Sequence, residues 1–351
     1  MRQFFKRWLE RLFSRTRDLV ARGREQRRKG WLEGSYSDPR GTLYYLPLLQ
    51  PKRDYRLYLP AQYHPTKKRP LVVMLHGCKQ DPQTFAESTR MNELADRHGF
   101  LVLYPEQRRF ANTNYCWNWF DSSVHRGGGE AALIAGMVRE ITASYAVDED
   151  RVYVAGLSAG GAMTSILASC YGKLFAACAV HSGLMYRAAD SVAEATKAMK
   201  HGSGTAPAEA ARQGMQQEDF DFVPAVVIHG NKDETVDIAN ADQVVEQFLF
   251  MARHGDDAQL AESSNSRTSS GGYRYDIHDY MRGGRVLLRK VVVEGMDHAW
   301  SGGDPKHPFN DPKGPDASLM IWEFFSAHSR KDSVGLDRAA ITRTTTQAIA
   351  S

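Results

Sequence analysis

The chain has 351 residues, and its 45 Lys and Arg residues against 41 Asp and Glu residues give a formal net charge of +4. Hydrophobic residues make up 42% of the chain and charged residues 25%, which excludes a disordered or collagen-like protein. No apolar run approaches the roughly 20 residues of a membrane-spanning helix.

The first thirty residues differ in charge from the rest of the chain. They hold eleven Lys and Arg residues against three Asp and Glu residues. Within them one helical face collects Phe4, Phe5, Trp8, Leu9, Leu12 and Phe13. This pattern predicts a basic amphipathic helix that binds an anionic surface. The alternative is a helix whose apolar stripe packs on its own domain or on a second copy of the chain.

After the arm, apolar strand-like runs alternate with helical stretches. The alternation predicts an α/β fold with a mainly parallel central sheet and helices on both faces. Predicted strands begin at Tyr55, Leu71, Phe100, Val152, Phe175, Ala225 and Val286. Predicted helices run over Thr84 to His98, Glu130 to Tyr145, Gly161 to Tyr171, Ile238 to Arg253 and Ala317 to His328.

These elements predict one folded domain over residues 40–330, preceded by the basic arm at 1–34 and followed by a flexible tail at 331–351. A polar segment beginning at Gly34 is expected to separate the arm from the first strand. Residues 187–222 are alanine-rich and partly helical in pattern, which fits either a lid over a cleft or a surface insertion. Residues 254–284 contain serine and glycine runs that predict a flexible loop.

The most informative motif is the pentad Gly156-Leu157-Ser158-Ala159-Gly160, which follows the β-branched run Val152-Tyr153-Val154. A serine on a tight turn between a strand and a helix is the nucleophile position of an α/β-hydrolase. The flanking glycines relieve the Cβ clashes of such a turn. Ser158 is therefore the predicted nucleophile, and the alternative is an ordinary turn of small residues.

A serine nucleophile needs a base and an acid that orients the base, and in this fold they follow in the order serine, acid, histidine. Asp233 lies just beyond the apolar run Ala225–Ile228, and His298 lies in the turn after the run that ends at Val293. We predict the triad Ser158, Asp233 and His298. Asp237 is the alternative acid, and Asp233 could instead cap the helix that follows it.

The oxyanion donors are predicted from an earlier strand. In this architecture one amide follows the nucleophile and the other comes from the loop after an early strand. The first is the N–H of Ala159. The second is the N–H of Cys78, because His76-Gly77-Cys78 follows the apolar run Pro70–Leu75.

Together these motifs resemble the esterase family of polyhydroxybutyrate depolymerases, which also contains feruloyl and acetylxylan esterases. The motifs are His76-Gly77-Cys78, Cys116-Trp117-Asn118-Trp119, Arg126-Gly127-Gly128-Gly129, the serine pentad, His229-Gly230-x-x-Asp233 and Gly295-x-x-His298-x-Trp300, over roughly residues 50–330. The resemblance implies a carboxylic ester hydrolase that acts on a 3-hydroxyalkanoate polyester or its oligomers. The alternatives are a feruloyl or acetylxylan esterase, or a non-catalytic binding protein of the hydrolase fold.

The resemblance also implies roles for residues beside the triad. Trp117 and Trp119 would line the acyl side of the cleft, and His76 and Trp300 are further candidates for substrate contact. Cys78 and Cys116 would form a disulfide that braces the oxyanion loop, although in a reducing compartment they would remain thiols.

The absence of certain sequence patterns predicts the location, the partners and the cofactors of the protein. No apolar segment of signal-peptide type is found, so a cytoplasmic or granule-associated protein is expected, with an extracellular one as the alternative that the family suggests. The arm would then bind an anionic membrane or a polymer granule. No nucleic-acid partner is expected, because no reading module accompanies the charge. No Cys or His cluster has zinc spacing, so neither metal nor cofactor is expected.

Overall fold

The computed structural model describes residues 30–38, 51–253, 260–268 and 272–331. Most of the predicted basic arm and of the predicted C-terminal tail therefore lie outside the described residues, and both remain predictions. Among the described helices, none has both the length and the apolar character that crossing a bilayer requires.

A ten-stranded sheet forms the centre of the described domain, in the order β1-β2-β4-β3-β5-β6-β7-β10-β9-β8. Its strands are β1 (Trp31–Ser37), β2 (Lys52–Tyr58), β3 (Arg69–Leu75), β4 (Leu101–Pro105), β5 (Val147–Leu157), β6 (Ala177–His181), β7 (Ala225–Gly230), β8 (Ala261–Thr268), β9 (Arg274–Arg282) and β10 (Arg285–Val293). The six central strands, which are β4, β3, β5, β6, β7 and β10, are mutually parallel. Antiparallel strands extend both edges of the sheet. A short parallel pair, β11 (Trp300–Ser301) and β12 (Asn310–Asp311), lies beyond β10 in the chain.

Nine α-helices occur among the described residues. They are α1 (Pro82–Thr89), α2 (Met91–His98), α3 (Ser122–His125), α4 (Gly129–Ser144), α5 (Ala159–Cys170), α6 (Val192–His201), α7 (Pro207–Met215), α8 (Ala239–Arg253) and α9 (Ala317–Ser326). A single 3₁₀ turn, Gly172–Leu174, follows α5 in the described chain.

Two hydrophobic cores cover the two faces of the sheet. In β3, Val73 belongs to the core that contains residues of α4, α5 and α8, whereas its neighbours Val72 and Met74 belong to the core that contains residues of α1, α2 and α9. Because successive side chains of a strand point to opposite faces, this division places helices on both sides of the sheet. The predicted α/β-hydrolase architecture with a mainly parallel sheet is confirmed.

The predicted boundary before the first strand is wrong. Gly34, expected in a polar segment outside the domain, lies inside β1, which pairs antiparallel with β2 from Trp31–Tyr58 to Ser37–Lys52. A Cβ on Gly34 would lie 2.3 Å from the Tyr55 ring, so the missing side chain lets that ring cross the strand. Trp31 also packs against Tyr58 and Tyr104. The sheet therefore begins before the predicted domain start at residue 40.

The described part of the predicted loop at 254–284 also differs from the prediction, because β8 and β9 occupy most of it as an antiparallel extension of the sheet. All eight residues of β8 are exposed. An edge strand with solvent on both faces has no apolar alternation, which is the pattern by which strands are predicted. The predicted helix from Thr84 to His98 is two helices, since Arg90 between them has a left-handed conformation with φ 54°.

The segment 187–222 contains α6 and α7, in agreement with its partly helical pattern. Helix α7 contacts α8, which places it against the main domain. Whether this segment acts as a lid remains a prediction.

Candidate active site

Ser158 lies at the junction of β5 and α5, the setting that its pentad predicts. Its backbone has φ 57° and ψ −119°, a conformation that costs a non-glycine residue free energy and occurs mostly at functional sites. A Cβ at Gly160 would lie 2.1 Å from the carbonyl oxygen of Leu75, and one at Gly156 would lie 2.3 Å from Gly160. Both glycines are therefore sterically required for this turn.

The turn is also fixed by backbone hydrogen bonds. The N–H of Ser158 donates to the carbonyl oxygen of His181 at 2.9 Å, and Ala162 donates to the carbonyl oxygen of Ser158 at 2.9 Å. Ala159 is the first residue of α5. N–H groups in the first turn of a helix have no acceptor within that helix, and the dipole there favours negative charge. The position of Ala159 therefore suits its predicted role as an oxyanion donor.

The structure brings Asp233 and His298 together. Nδ1 of His298 lies 2.7 Å from Oδ2 of Asp233. The other carboxylate oxygen accepts the N–H groups of Thr235 and Val236 at 2.9 and 2.7 Å. The carboxylate is thus held by its own loop and oriented toward the histidine ring. This arrangement leaves Nε2 of His298 as the basic nitrogen when Nδ1 carries the proton.

Asp237, the alternative acid, has a different role. Its Oδ1 accepts the N–H of Ala239 at 2.9 Å, at the start of α8. Asp237, rather than Asp233, thus contacts the first turn of the helix that Asp233 was considered to cap.

A second histidine lies beside the acid. Nε2 of His229 is 2.8 Å from the carbonyl oxygen of Val236 and 3.4 Å from Oδ2 of Asp233. Burial of Asp233 opposes its ionisation, but the hydrogen bonds from His229 and His298 outweigh burial and hold the pKa of Asp233 well below its ordinary value. Asp233 is therefore an ionised carboxylate at neutral pH.

The loop that follows β3 lies against Ser158, because a Cβ on Gly77 would be 3.6 Å from the Cβ of Ser158. Gly77 donates its N–H to Oε1 of Gln80 at 2.8 Å. Lys79 donates its N–H to Asn114 at 2.7 Å. The sulfur atoms of Cys78 and Cys116 are joined in a disulfide.

His76 is fully enclosed beneath this loop. Its Nε2 accepts the N–H of Gln107 at 3.2 Å, so its Nδ1 carries the proton and donates to the carbonyl oxygen of Gly77 at 2.8 Å. Burial lowers the pKa of His76 to about 4, which keeps the ring neutral. The indole N–H of Trp117 donates to the carbonyl oxygen of His76 at 3.1 Å.

A buried carboxylate supports the segment that contains Cys116, the disulfide partner of Cys78. Glu130, 5% exposed, accepts the backbone N–H of Asn118 at 2.7 Å and the side-chain amide of Asn118 at 2.9 Å. It also accepts from Gln107 at 2.5 Å and from Arg53 at 3.2 Å. Gln107 in turn donates to the carbonyl oxygen of Cys116 at 2.9 Å. One side chain of α4 thus connects β2, the loop after β4 and the disulfide-bonded segment.

The four residues predicted to contact substrate are all buried. Trp117 has no exposed surface, Trp119 is 4% exposed, and His76 and Trp300 are 1% exposed. In this structure they support the loops of the site and do not form an open wall of a cleft. A role of these side chains in substrate binding remains a prediction.

Sequence reasoning missed several residues of this site. Gln80, Gln107, Glu130, His181 and His229 all contact predicted site residues or their loops. Of these five residues, His229 could have been found from the sequence, because it belongs to the same motif as Asp233. Cys170 and Cys178 are free and buried.

Comparison with known proteins identifies the family. The model of the family described as Esterase PHB depolymerase matches residues 53–269, which is more than half of the chain. The chain belongs to this family. The predicted resemblance to depolymerases and their feruloyl and acetylxylan esterase relatives is thereby confirmed.

Two depolymerases are among its relatives. A poly(3-hydroxyalkanoate) depolymerase C from Paucimonas lemoignei is 35% identical over 233 residues, covering 65% of this chain and 54% of that protein. A poly(3-hydroxybutyrate) depolymerase from Ralstonia pickettii is 28% identical over 320 residues, covering 83% and 62%. The chain thus spans little more than half of the length of these relatives.

An esterase of known structure has the same fold. The acetyl xylan esterase from Aspergillus awamori superposes with a TM-score of 0.62 at 20% identity, covering 84% of this chain and 99% of that one. Similarity at this level of identity shows the fold alone.

Proposed function

We propose that this protein hydrolyses carboxylic esters through an acyl-enzyme intermediate on Ser158. The observation that carries the proposal is the backbone of Ser158, which is held in a costly conformation between a strand and a helix. The bond between His298 and Asp233 supports it, because a histidine oriented by a carboxylate is the base that a serine nucleophile requires. Membership of an esterase family supports the same reaction class.

In the first half of the reaction, Oγ of Ser158 attacks the ester carbonyl carbon while Nε2 of His298 takes the hydroxyl proton. Asp233 stays ionised and stabilises the imidazolium that forms. The N–H groups of Cys78 and Ala159 donate to the oxyanion of the tetrahedral intermediate. A single donor of this kind contributes on the order of 10² to 10³ in rate.

The intermediate collapses when the C–O bond of the ester breaks and His298 returns its proton to the leaving alcohol. In the second half, His298 takes a proton from water as the water attacks the acyl-enzyme. Collapse of the second intermediate releases the carboxylic acid and restores the serine hydroxyl. This scheme needs neither a metal ion nor an organic cofactor.

The proposed substrate is a 3-hydroxyalkanoate polyester or its oligomers. The two depolymerase relatives, which align with 65% and 83% of the chain, support this choice. The second candidate is a feruloyl or acetylxylan ester. It is supported by a feruloyl esterase B from Neurospora crassa that is 37% identical over 143 residues, covering 40% of this chain and 48% of that protein.

The test is to assay one preparation on hydroxybutyrate oligomers, methyl ferulate and acetylated xylan, with Ser158→Ala protein as the blank. We expect the highest kcat/KM on the oligomers and no turnover by the variant. Preference for either of the other esters would replace the proposed substrate while keeping the reaction. Absence of turnover on all three, and on an activated ester, would favour the non-catalytic binding protein.

A further inference from the structure

A buried histidine, His181, contacts both sides of the proposed catalytic machinery and has no role in the reaction described above. It is the last residue of β6 and lies between Leu157 of β5 and Ile228 of β7 in the register of the sheet. Its side chain has no exposed surface. An imidazole buried in a core needs a reason, because its polar atoms must be matched by hydrogen bonds.

The main chain of His181 holds the nucleophile. Its carbonyl oxygen accepts the N–H of Ser158 at 2.9 Å. This bond extends the parallel pairing of β5 and β6 by one residue, into the turn itself. The backbone of Ser158 is thereby held directly by His181.

The side chain of His181 holds the segment that follows the base. Its Nε2 accepts the N–H of Ser301 at 3.1 Å. Its ring stacks on Trp300, with centroids 4.9 Å apart and planes 22° apart. These two residues follow His298 by two and three positions, so the ring acts on the backbone that carries the base.

The hydrogen bonds define the tautomer of this ring. Since Nε2 accepts an N–H, the ring proton is on Nδ1, from which it donates to Oγ of Ser182 at 3.1 Å. Burial, aided by the neighbouring His229 and His298, lowers the pKa of His181 to about 3, while Asp233 acts in the opposite direction. A protonated ring would carry an N–H at Nε2, which could not accept the N–H of Ser301. The neutral state of the ring therefore preserves this hydrogen bond.

The segment that His181 holds is also anchored to other parts of the domain. The indole N–H of Trp300 donates to Oγ of Ser318 at 3.1 Å, and Oγ of Ser301 donates to the carbonyl oxygen of Pro315 at 2.7 Å. Trp300 also packs edge-on against Phe85. Among these contacts, the bond to His181 connects the segment to the residue that also bonds the turn of Ser158.

We propose that His181 is a positioning residue that sets the distance between Ser158 and His298, by bonding to the first through its main chain and to the segment of the second through Nε2. The proposal rests on the proposed function, in which these two residues are nucleophile and base. A shift of about 1 Å between reacting groups can cost roughly 100-fold in rate. Loss of the Nε2 contact should therefore reduce kcat more than it changes KM.

Three substitutions separate this role from simple packing. His181→Gln places an acceptor near the position of Nε2, whereas His181→Asn reaches only the position of Nδ1, and His181→Leu fills the volume without a polar atom. We expect the glutamine variant to keep kcat on a soluble activated ester within about fivefold of the wild type. The asparagine and leucine variants should lose about 10- to 100-fold in kcat, with KM changed less than threefold.

The rate of inactivation by an alkyl fluorophosphonate should fall in the same order, because it reports the reactivity of Ser158 without a leaving alcohol. Equal kcat values for the folded glutamine and asparagine variants would overturn the proposal. If Ser158→Ala protein retained turnover, the proposed function would fail instead, so the two failures are distinguishable.

The wild-type protein provides a second test should the variants not fold. In long-range ¹H–¹⁵N spectra of histidine-labelled protein, the ring that contacts Trp300 should show the proton on Nδ1 and stay neutral from pH 8 to about pH 4. A proton on Nε2, or titration near the ordinary histidine range, would contradict the proposed contact with Ser301.

Discussion

The acid of the proposed site and its oxyanion loop are held differently. Asp233 is held by the backbone of Thr235 and Val236, and the further support comes from His229, four residues earlier. The oxyanion loop is instead held by residues that lie 30 or more positions away in the chain, including Gln107, Asn114 and Cys116. The acid is thus positioned by its own loop, and the oxyanion loop mainly by tertiary contacts.

This difference predicts how the acid and the oxyanion loop respond to substitution. Asp233 has few supports and itself contacts the base, so a single change at the acid should remove most of the rate. The oxyanion loop has several supports in parallel, so the loss of one should be smaller.

Of the substitutions that compare the acid with the oxyanion loop, Asp233→Asn should have the largest effect. An amide at this position cannot act as a charged partner for His298 and favours the wrong histidine tautomer, which should lower kcat by roughly 10⁴ with little change in KM. The matched control is Asp237→Asn, which alters the cap of α8 and should cost at most about 1 kcal/mol of stability. Steady-state kinetics on an activated ester rank the kcat values of the two variants, and thermal denaturation measures the stability of the control. The reverse ranking of kcat would move the acid to Asp237.

An intermediate effect is expected from Glu130→Gln. The substitution keeps the shape of the side chain, but its amide N–H₂ group would face an N–H group that now donates to the Glu130 carboxylate. The segment of Cys116 and Asn118 should shift, lowering kcat by roughly 10- to 100-fold, because displacing an oxyanion donor cannot cost more than removing it. Exposed Glu149→Gln is the control. A loss as large as that of Asp233→Asn would mean that the oxyanion loop has no parallel supports.

A smaller effect on rate is expected when Cys78 and Cys116 are both replaced by Ser. The disulfide spans 38 positions, and its loss should cost about 4 kcal/mol of stability through the entropy of the unfolded chain. Turnover should nevertheless stay within about fivefold, since the contacts of Gln107, Trp117 and Asn114 continue to hold the loop.

Thermal denaturation and kinetics below the melting temperature check both parts of this expectation, with untreated and reductant-treated wild type as controls. A rate loss above about 100-fold in the folded variant would show that the covalent bond, and not the network, positions the loop.

The smallest effect on either the acid or the oxyanion loop is expected from deleting residues 1–29, which leaves β1 intact. Turnover of a soluble ester should not change. Binding to anionic vesicles or polymer granules should fall, by about 1 kcal/mol per basic residue lost from the surface. Co-sedimentation of both proteins at low salt and at 1 M salt, where the Debye length is roughly 3 Å, measures it.

Equal sedimentation of the two proteins would contradict the predicted surface binding. A loss of thermal stability or of oligomeric state on deletion would instead favour the alternative, a helix packed on the domain or on a second copy.

The same contrast explains what could be predicted from the sequence. Ser158, Asp233 and His298 each follow a buried apolar strand, so a local pattern and the order of the motifs were sufficient to nominate them. No local pattern connects Glu130 with Arg53 or Gln107 with His76, because those contacts depend on how distant segments meet. The supports of the oxyanion loop were therefore not predicted.

The strands were predictable to the extent that they are buried. The six strands of the parallel centre were predicted from apolar runs, whereas β8 is exposed on both faces and β1 has a glycine at its centre. Trp117 is a different case: its motif predicts substrate contact, which stays a prediction, and only the structure shows that the side chain is buried and donates to the carbonyl oxygen of His76.

The most direct test of the central claim is to identify the residue that an alkyl fluorophosphonate modifies. Labelling followed by peptide mass spectrometry should place one adduct on Ser158, with turnover lost in proportion to labelling. The Ser158→Ala protein should stay folded, unlabelled and inactive, as expected when loss of a triad nucleophile costs on the order of 10⁶ in rate. An adduct on another residue, or more than about a hundredth of wild-type turnover in the variant, would contradict the account.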